Sequence, residues 1–173
     1  HFNNDINNVC LFTDLKIGSD TLRVYNLHIA SIRFSYDDYD FIKNAEYQDD
    51  TDKLKQGARQ IYHRLAKAFV KRSEQSKIVL KHIALCPYPV LVCGDFNDSP
   101  ISWCYTQFSE NLYDSFKEAG NGIGNTYIGA FPSYRIDYMF HSEQLEISKY
   151  STLPEEFSDH HAITVNMNFK SSQ

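Results

Sequence analysis

The stretch Pro87-Tyr88-Pro89-Val90-Leu91-Val92-Cys93-Gly94-Asp95-Phe96-Asn97-Asp98-Ser99-Pro100 decides how this chain is read. Residues 89–93 form a continuous apolar run with no polar alternation, which suits a strand covered on both faces. Gly94 ends the run, and a carboxylate and an amide follow at alternate positions. Successive side chains of an extended segment point to opposite faces. Asp95 and Asn97 therefore share a face at the strand's end, while Phe96 points the other way. A carboxylate there can bind a hard cation or move a proton, and an amide N–H can donate to a phosphoryl oxygen. The plain alternative is an Asp/Asn turn that only closes the strand.

Upstream, apolar residues recur at spacings of three and four from Lys53 to about Leu85: Leu54, Ala58, Ile61, Leu65, Ala68 and Phe69, then Ile78, Val79 and Ile83. That period predicts one long helix or two in succession, stopped by Pro87. His63 and His82 read as ordinary helix residues. Further upstream, residues 9–17 and 21–29 are β-rich runs joined across Gly18-Ser19-Asp20, a hairpin signal. In the second run Leu22, Val24, Asn26 and His28 share one face; Arg23, Tyr25, Leu27 and Ile29 share the other. Between hairpin and helix, residues 35–52 hold six Asp and one Glu against one Lys and read as a solvated acidic loop. No glycine sits where a calcium-binding helix–loop–helix would need it. Downstream, Trp103, Tyr105, Phe108 and Leu112 are expected to face the core from a helix. Residues 121–125 form a glycine-rich loop that matches no phosphate-binding pattern. Residues 135–141, 145–150 and 161–169 read as three more strands. The fold class that results is layered α/β, with a mixed or antiparallel sheet and flanking helices.

At 173 residues the chain has one ordinary domain's length, and its 42% hydrophobic residues can fill one core. Seventeen Lys and Arg against 22 Asp and Glu leave a formal charge of −5, which speaks against a uniformly basic nucleic-acid binder. Cys10, Cys86, Cys93 and Cys104 form no CxxC pair and are expected to be free thiols. There is no apolar run long enough to cross a membrane. The opening residues 1–8 carry no signal-peptide pattern, and the chain reads as a piece of a longer protein, which leaves open an N-terminal membrane or export segment in the parent. No HExxH or other zinc spacing is present.

Polar residues punctuate the predicted strands elsewhere too. Asn26-Leu27-His28 ends one, Arg135-Ile136-Asp137-Tyr138 opens another, and Ser158-Asp159-His160-His161 precedes the last. A histidine that carries protons needs a carboxylate to fix its tautomer and stabilise its charged form. For His160 the leading candidate is Asp137, because it too heads a strand.

Taken in order, NLH (26–28), GDFND (94–98), RIDYMF (135–140) and SDHH (158–161) resemble the endonuclease/exonuclease/phosphatase (DNase I-like) superfamily. Arg72-Ser73-Glu74-Gln75 and the segment quoted first look like those of bacterial members of unassigned substrate. The resemblance spans nearly the whole chain. It implies part of a four-layered αββα sandwich and hydrolysis of a phosphoester by activated water. By motif it implies catalytic roles for His28, Asp95, Asn97, Asp137 and His160: Asp95 on the attacking water, Asn97 on a phosphate oxygen, His160 as acid/base oriented by Asp137, His28 as a second acid/base. It places Asp159 at a divalent metal, Mg²⁺ or Mn²⁺, and gives His161 no role. It further implies that residues 1–173 are a single domain, the C-terminal portion, with the family's first strands and metal-binding Glu outside this chain. An uncovered sheet edge would then invite a homodimer. The expected substrate is a phosphate ester: a nucleic acid, a phospholipid head group or an inositol phosphate. Thr126, and the aromatics Trp103, Tyr127 and Phe131, are candidate pocket residues. The competing expectation is a catalytically inactive fragment or binding module of the same fold.

Overall fold

The computed structural model describes residues 8–47, 49–129 and 134–170. The hairpin forms as expected: β1 (Val9–Ile17) pairs antiparallel with β2 (Asp20–His28). Its connection is the two residues Gly18-Ser19. Gly18 takes φ +62°, the backbone a two-residue hairpin turn asks of its first position. After the helices, β3 (Val90–Asp95) enters beside β2 and runs parallel to it. β5 (Asp137–His141) flanks β3 antiparallel, and β4 (Tyr113–Asp114) caps the far edge, giving the order β1-β2-β3-β5-β4. A second sheet consists of β6 (Leu145–Thr152) and β7 (Ile163–Phe169).

Both faces of the large sheet are covered where β2 and β3 cross its middle. Tyr25, Leu27, Val90, Val92, Tyr138 and Phe140 face the helices and pack with Val79, Cys104, Tyr105 and Phe108. Leu22, Val24 and Leu91 face the second sheet and meet Leu145, Met167 and Phe169. The layers are thus helix, sheet, sheet, a part of the four-layered sandwich. Phe96, fully buried, sits edge-on to Phe108 at 4.9 Å and to Tyr138 at 5.2 Å between ring centres. Burying a ring of that size stabilises by roughly 1.5–3 kcal/mol, which anchors the segment that carries the site. At the edge, β1 leaves Leu11, Phe12, Leu15 and Ile17 exposed.

α2 is a single helix, Thr51–Ala84. Asp50 caps it by accepting the Asp52 and Lys53 amides. Its buried residues begin only at Ala68; the front half packs on α1, and Arg64 Nη1 also donates to the Arg33 carbonyl at 3.2 Å. α1 itself corrects the expected acidic loop: Tyr36–Asn44 is helical. Ser35 accepts the Asp38 amide while the Asp38 carboxylate takes the Ser35 amide at 2.6 Å, a reciprocal cap. Asp38 is buried against the Arg64 guanidinium, 2.8 Å away, so one of the acids serves packing rather than solvation.

α3 (Trp103–Ser109) turns Tyr105 and Phe108 inward as expected, but Trp103 is 46% exposed, with the Lys77 ammonium 5.3 Å from its ring. It begins the helix on the outward side, one residue before the buried stripe. A short α4 (Ser115–Ala119), which the apolar pattern is too brief to announce, follows β4. The four cysteines are free. Among the described residues no helix is long and apolar enough to cross a membrane.

Candidate active site

Register across three strands brings the first residues together. His28 lies opposite Asp95 on the β2–β3 pair, and Asp95 lies opposite Asp137 on the β3–β5 pair. The three side chains form a row at one end of the large sheet, on the face towards β6 and β7. Gly94 makes this register possible. Its φ is +136°, and a Cβ there would collide with the Leu27 carbonyl oxygen.

Asp95 is held by the turn that follows it. The Asn97 backbone N–H donates to Asp95 Oδ1 at 2.7 Å, and the Asn97 side-chain amide donates to Oδ2 at 2.8 Å. The same amide nitrogen reaches the Ile29 carbonyl at 3.1 Å. Asn97 achieves this at φ +50°, a left-handed conformation that asparagine tolerates better than most residues. Its side chain does return to the face of Asp95, but both amide hydrogens are spent inside the protein. A phosphate oxygen would have to displace one of them. His28 Nε2 stands 3.8 Å from Asp95 Oδ2 and is about half exposed.

The second half of the site comes from the segment before β7. His160 Nδ1 bonds Asp137 Oδ2 at 2.8 Å, the pairing expected from two strand heads. An isolated bridge between Tyr127 and His160 ties this segment down, and the Tyr127 ring meets the imidazole edge-on at 5.3 Å. Thr126 is fully buried; its hydroxyl oxygen accepts the Ile136 and Asp137 amides, both at 3.1 Å, and so fixes the start of β5. Asp159 is exposed, and its carbonyl accepts the Ile128 amide at 2.9 Å. His161 donates its backbone N–H to Thr126, outside the row. Phe131 lies outside the described residues. Trp103 belongs to α3, where it meets Lys77 rather than the row.

The charges bear on what the row can do. Burial, and then the charge of Asp137, push the Asp95 carboxyl up to about 6, against the Asn97 backbone bond and the two histidines. The Asp137 hydrogen bond raises His160 above its ordinary 6.5, with burial opposing. One acid is thus poised close to neutrality and one imidazole leans towards its charged form. Among the described residues no three His, Cys, Asp or Glu side chains gather so as to hold a metal ion. The described residues do not by themselves build a metal centre.

Sequence reasoning did not foresee two buried ion pairs beneath this row. Arg72 of α2 meets Asp98 at 3.0 Å, and Arg135 meets Asp114 at 2.8 Å. Their only signal was an Arg inside an apolar period and the Arg that opens RIDY.

Two histidines and two carboxylates are gathered at one end of the large sheet of an α/β sandwich protein. The chain belongs to the Endonuclease/Exonuclease/phosphatase family, whose model matches residues 27–160. No curated protein sequence matches it. Several solved structures share the fold. An endonuclease/exonuclease/phosphatase from Bacteroides vulgatus superposes with a TM-score of 0.65 at 16% identity, over 94% of this chain and 56% of that one. The mannosyl-6-phosphatase of Bacteroides thetaiotaomicron gives 0.63 at 19% identity, over 94% and 57%. The human Nocturnin catalytic domain, with bound sulfate, gives 0.59 at 17% identity, over 95% and 54%. At these identities the likeness speaks for the fold. The chain spans a little over half the length of each.

Proposed function

We propose that this chain carries the acid–base centre of a phosphoric ester hydrolase, acting on a phosphodiester or phosphomonoester through activated water. The observation that carries the reading is the row His28, Asp95, Asp137, completed by the His160–Asp137 bond. A base with a pKa near 6 is ionised at neutral pH yet still basic enough to accept a proton. Asp95 takes the proton of a water molecule whose oxygen forms the new bond to phosphorus. The bond from phosphorus to the leaving oxygen breaks, and that oxygen takes a proton from His160 Nε2. Asp137, on Nδ1, orients the ring and stabilises its charged form. Asn97 keeps both Asp95 oxygens in place, and His28 is a second acid/base.

Mg²⁺ or Mn²⁺ is part of the proposal as a group whose charge would gather a phosphate's oxygens. Asp159 and the two facing carboxylates are the donors this chain could offer. The remaining ligands would have to come from elsewhere. The absence of a three-donor cage among the described residues favours a second reading for the isolated chain, a binding module without turnover.

The test is hydrolysis of p-nitrophenyl phosphate and bis-p-nitrophenyl phosphate by the full-length protein, with Mg²⁺, Mn²⁺ or chelator. Screening DNA, sphingomyelin and inositol phosphates then sorts the substrate class. Asp95→Ala and His160→Ala should each lower kcat by at least about 10²-fold. Turnover unchanged in both variants overturns the assignment.

A further inference from the structure

Two buried side chains of α2 hold the segments that follow β2 and β3, through the Ala30 backbone and the Asp98 carboxylate. Arg72 is 1% exposed; its Nη1 donates to the Ala30 carbonyl at 3.0 Å and its Nε to Asp98 Oδ2 at 3.0 Å. One turn later Gln75 accepts the Ala30 amide on Oε1 at 2.9 Å. Both backbone groups of Ala30, two residues past His28, are thus consumed by one helix face. Asp98, one residue past Asn97, is fixed two further ways. Its Oδ1 takes the Ser99 amide at 3.2 Å, and its carbonyl takes the Tyr138 hydroxyl at 2.8 Å. The Arg72 guanidinium is itself held 4.7 Å from the Phe69 ring centre. The two held segments are also bonded to one another, Ile29 N–H to the Asp95 carbonyl at 3.1 Å and the Asn97 amide to the Ile29 carbonyl.

A buried arginine–carboxylate pair adds little net stability, because desolvation offsets most of the attraction and apolar residues of the same volume would serve as well. Its location carries the argument. A planar guanidinium spans two acceptors in a fixed fork, which a lysine ammonium cannot reproduce. Here the two acceptors belong to the two chain segments that carry His28 and the Asp95–Asn97 turn. We infer that Arg72 and Gln75 are positioning residues that set the spacing between His28 and Asp95, acting through Ala30 and Asp98. The inference rests on the phosphoesterase reading of the row for its effect on turnover, and on the geometry alone for its effect on the backbone.

The test uses the full-length protein with Arg72→Lys, Arg72→Gly and Gln75→Met. Arg23→Met is the control. It breaks an Arg–Asp pair with two bonds, 2.6 and 2.7 Å to Asp14, near the other end of β2. Arg72→Lys should lower kcat by about 10- to 100-fold, since displacements of an ångström cost that much, while KM moves little. Gln75→Met should act in the same direction and less. Added guanidinium should restore turnover to Arg72→Gly and not to Arg72→Lys. Amide exchange at residues 28–31 and 95–99 should quicken in the Arg72 and Gln75 variants and stay at the wild-type rate in Arg23→Met. If Arg72→Gly does not fold, Arg72→Lys and Gln75→Met decide. Folded variants with wild-type kcat, or wild-type exchange at both segments, overturn the inference. Should the wild-type protein hydrolyse nothing, the phosphoesterase reading fails, and the exchange rates still decide whether the clamp exists.

Discussion

Replacing Asp137 by Asn tests the centre of the site with a single atom pair. His160 Nδ1 and Asp137 Oδ2 are 2.8 Å apart, with side chains 28% and 16% exposed. A hydrogen bond to a charged partner contributes about 1.5–3 kcal/mol. Partial access of water to both groups places this one at the lower end, about 1.5 kcal/mol. Because the bond raises the folded-state pKa of His160 above its ordinary 6.5, its charged component is fully present below that value. It fades as pH rises through the folded pKa. Asp137→Asn should therefore cost most near pH 6 and least near pH 9. In a domain of this size about 1.5 kcal/mol corresponds to a Tm loss of about 3–6 °C. Thermal unfolding at the two pH values, with an NMR titration of the His160 ring, measures both halves of the claim. Equal Tm losses at the two pH values, or a His160 pKa that does not fall in the variant, would refute the electrostatic account of the pair.

Asp95→Asn should abolish turnover and remove a pH dependence. The folded carboxyl is pushed from 3.8 up to about 6, so the wild-type native state loses stability as pH climbs from about 4 to 6. An amide does not titrate, although it loses one of the two bonds from Asn97. The Tm difference between wild type and variant should therefore shift in the variant's favour across that window; a constant difference would contradict the shift. Gly94→Ala should destabilise by more than about 3 kcal/mol, because it adds an unfavourable φ to a collision with the Leu27 carbonyl. Urea unfolding reads this directly, and a loss under 1 kcal/mol would mean the β2–β3 register has slack.

β3 was legible because five apolar residues in a row have few other uses, and the Gly94 stop was visible in the letters. The His160–Asp137 pair was anticipated although 23 positions separate its members, because Asp137 opens one strand and His160 shortly precedes another. α1 was hidden by its composition: six Asp in 18 residues read as solvation, and nothing local says that Asp38 folds under Arg64. Trp103 was placed inward because aromatics usually are, whereas the helix phase puts its neighbour Cys104 there. Arg72 was singled out only as part of a resemblance, and its buried pairing was missed for the opposite reason, since a cation in an amphipathic period is normally given to water. Its partners Ala30 and Asp98 lie 42 and 26 positions away and become neighbours only once the sheet has formed.

The length of α2 divides the molecule into regions of unequal endurance. Thirty-four residues extend about 51 Å at 1.5 Å per residue, far more than the six-residue β3 beneath it. The portion ahead of Ala68 carries none of the helix's buried residues and packs on α1 and the Arg33 carbonyl, so opening it should expose less apolar surface than opening the half that holds Arg72. That front portion is where proteolytic nicks, insertions and sequence drift are tolerated first, while selection on the chemistry bears on the half that follows.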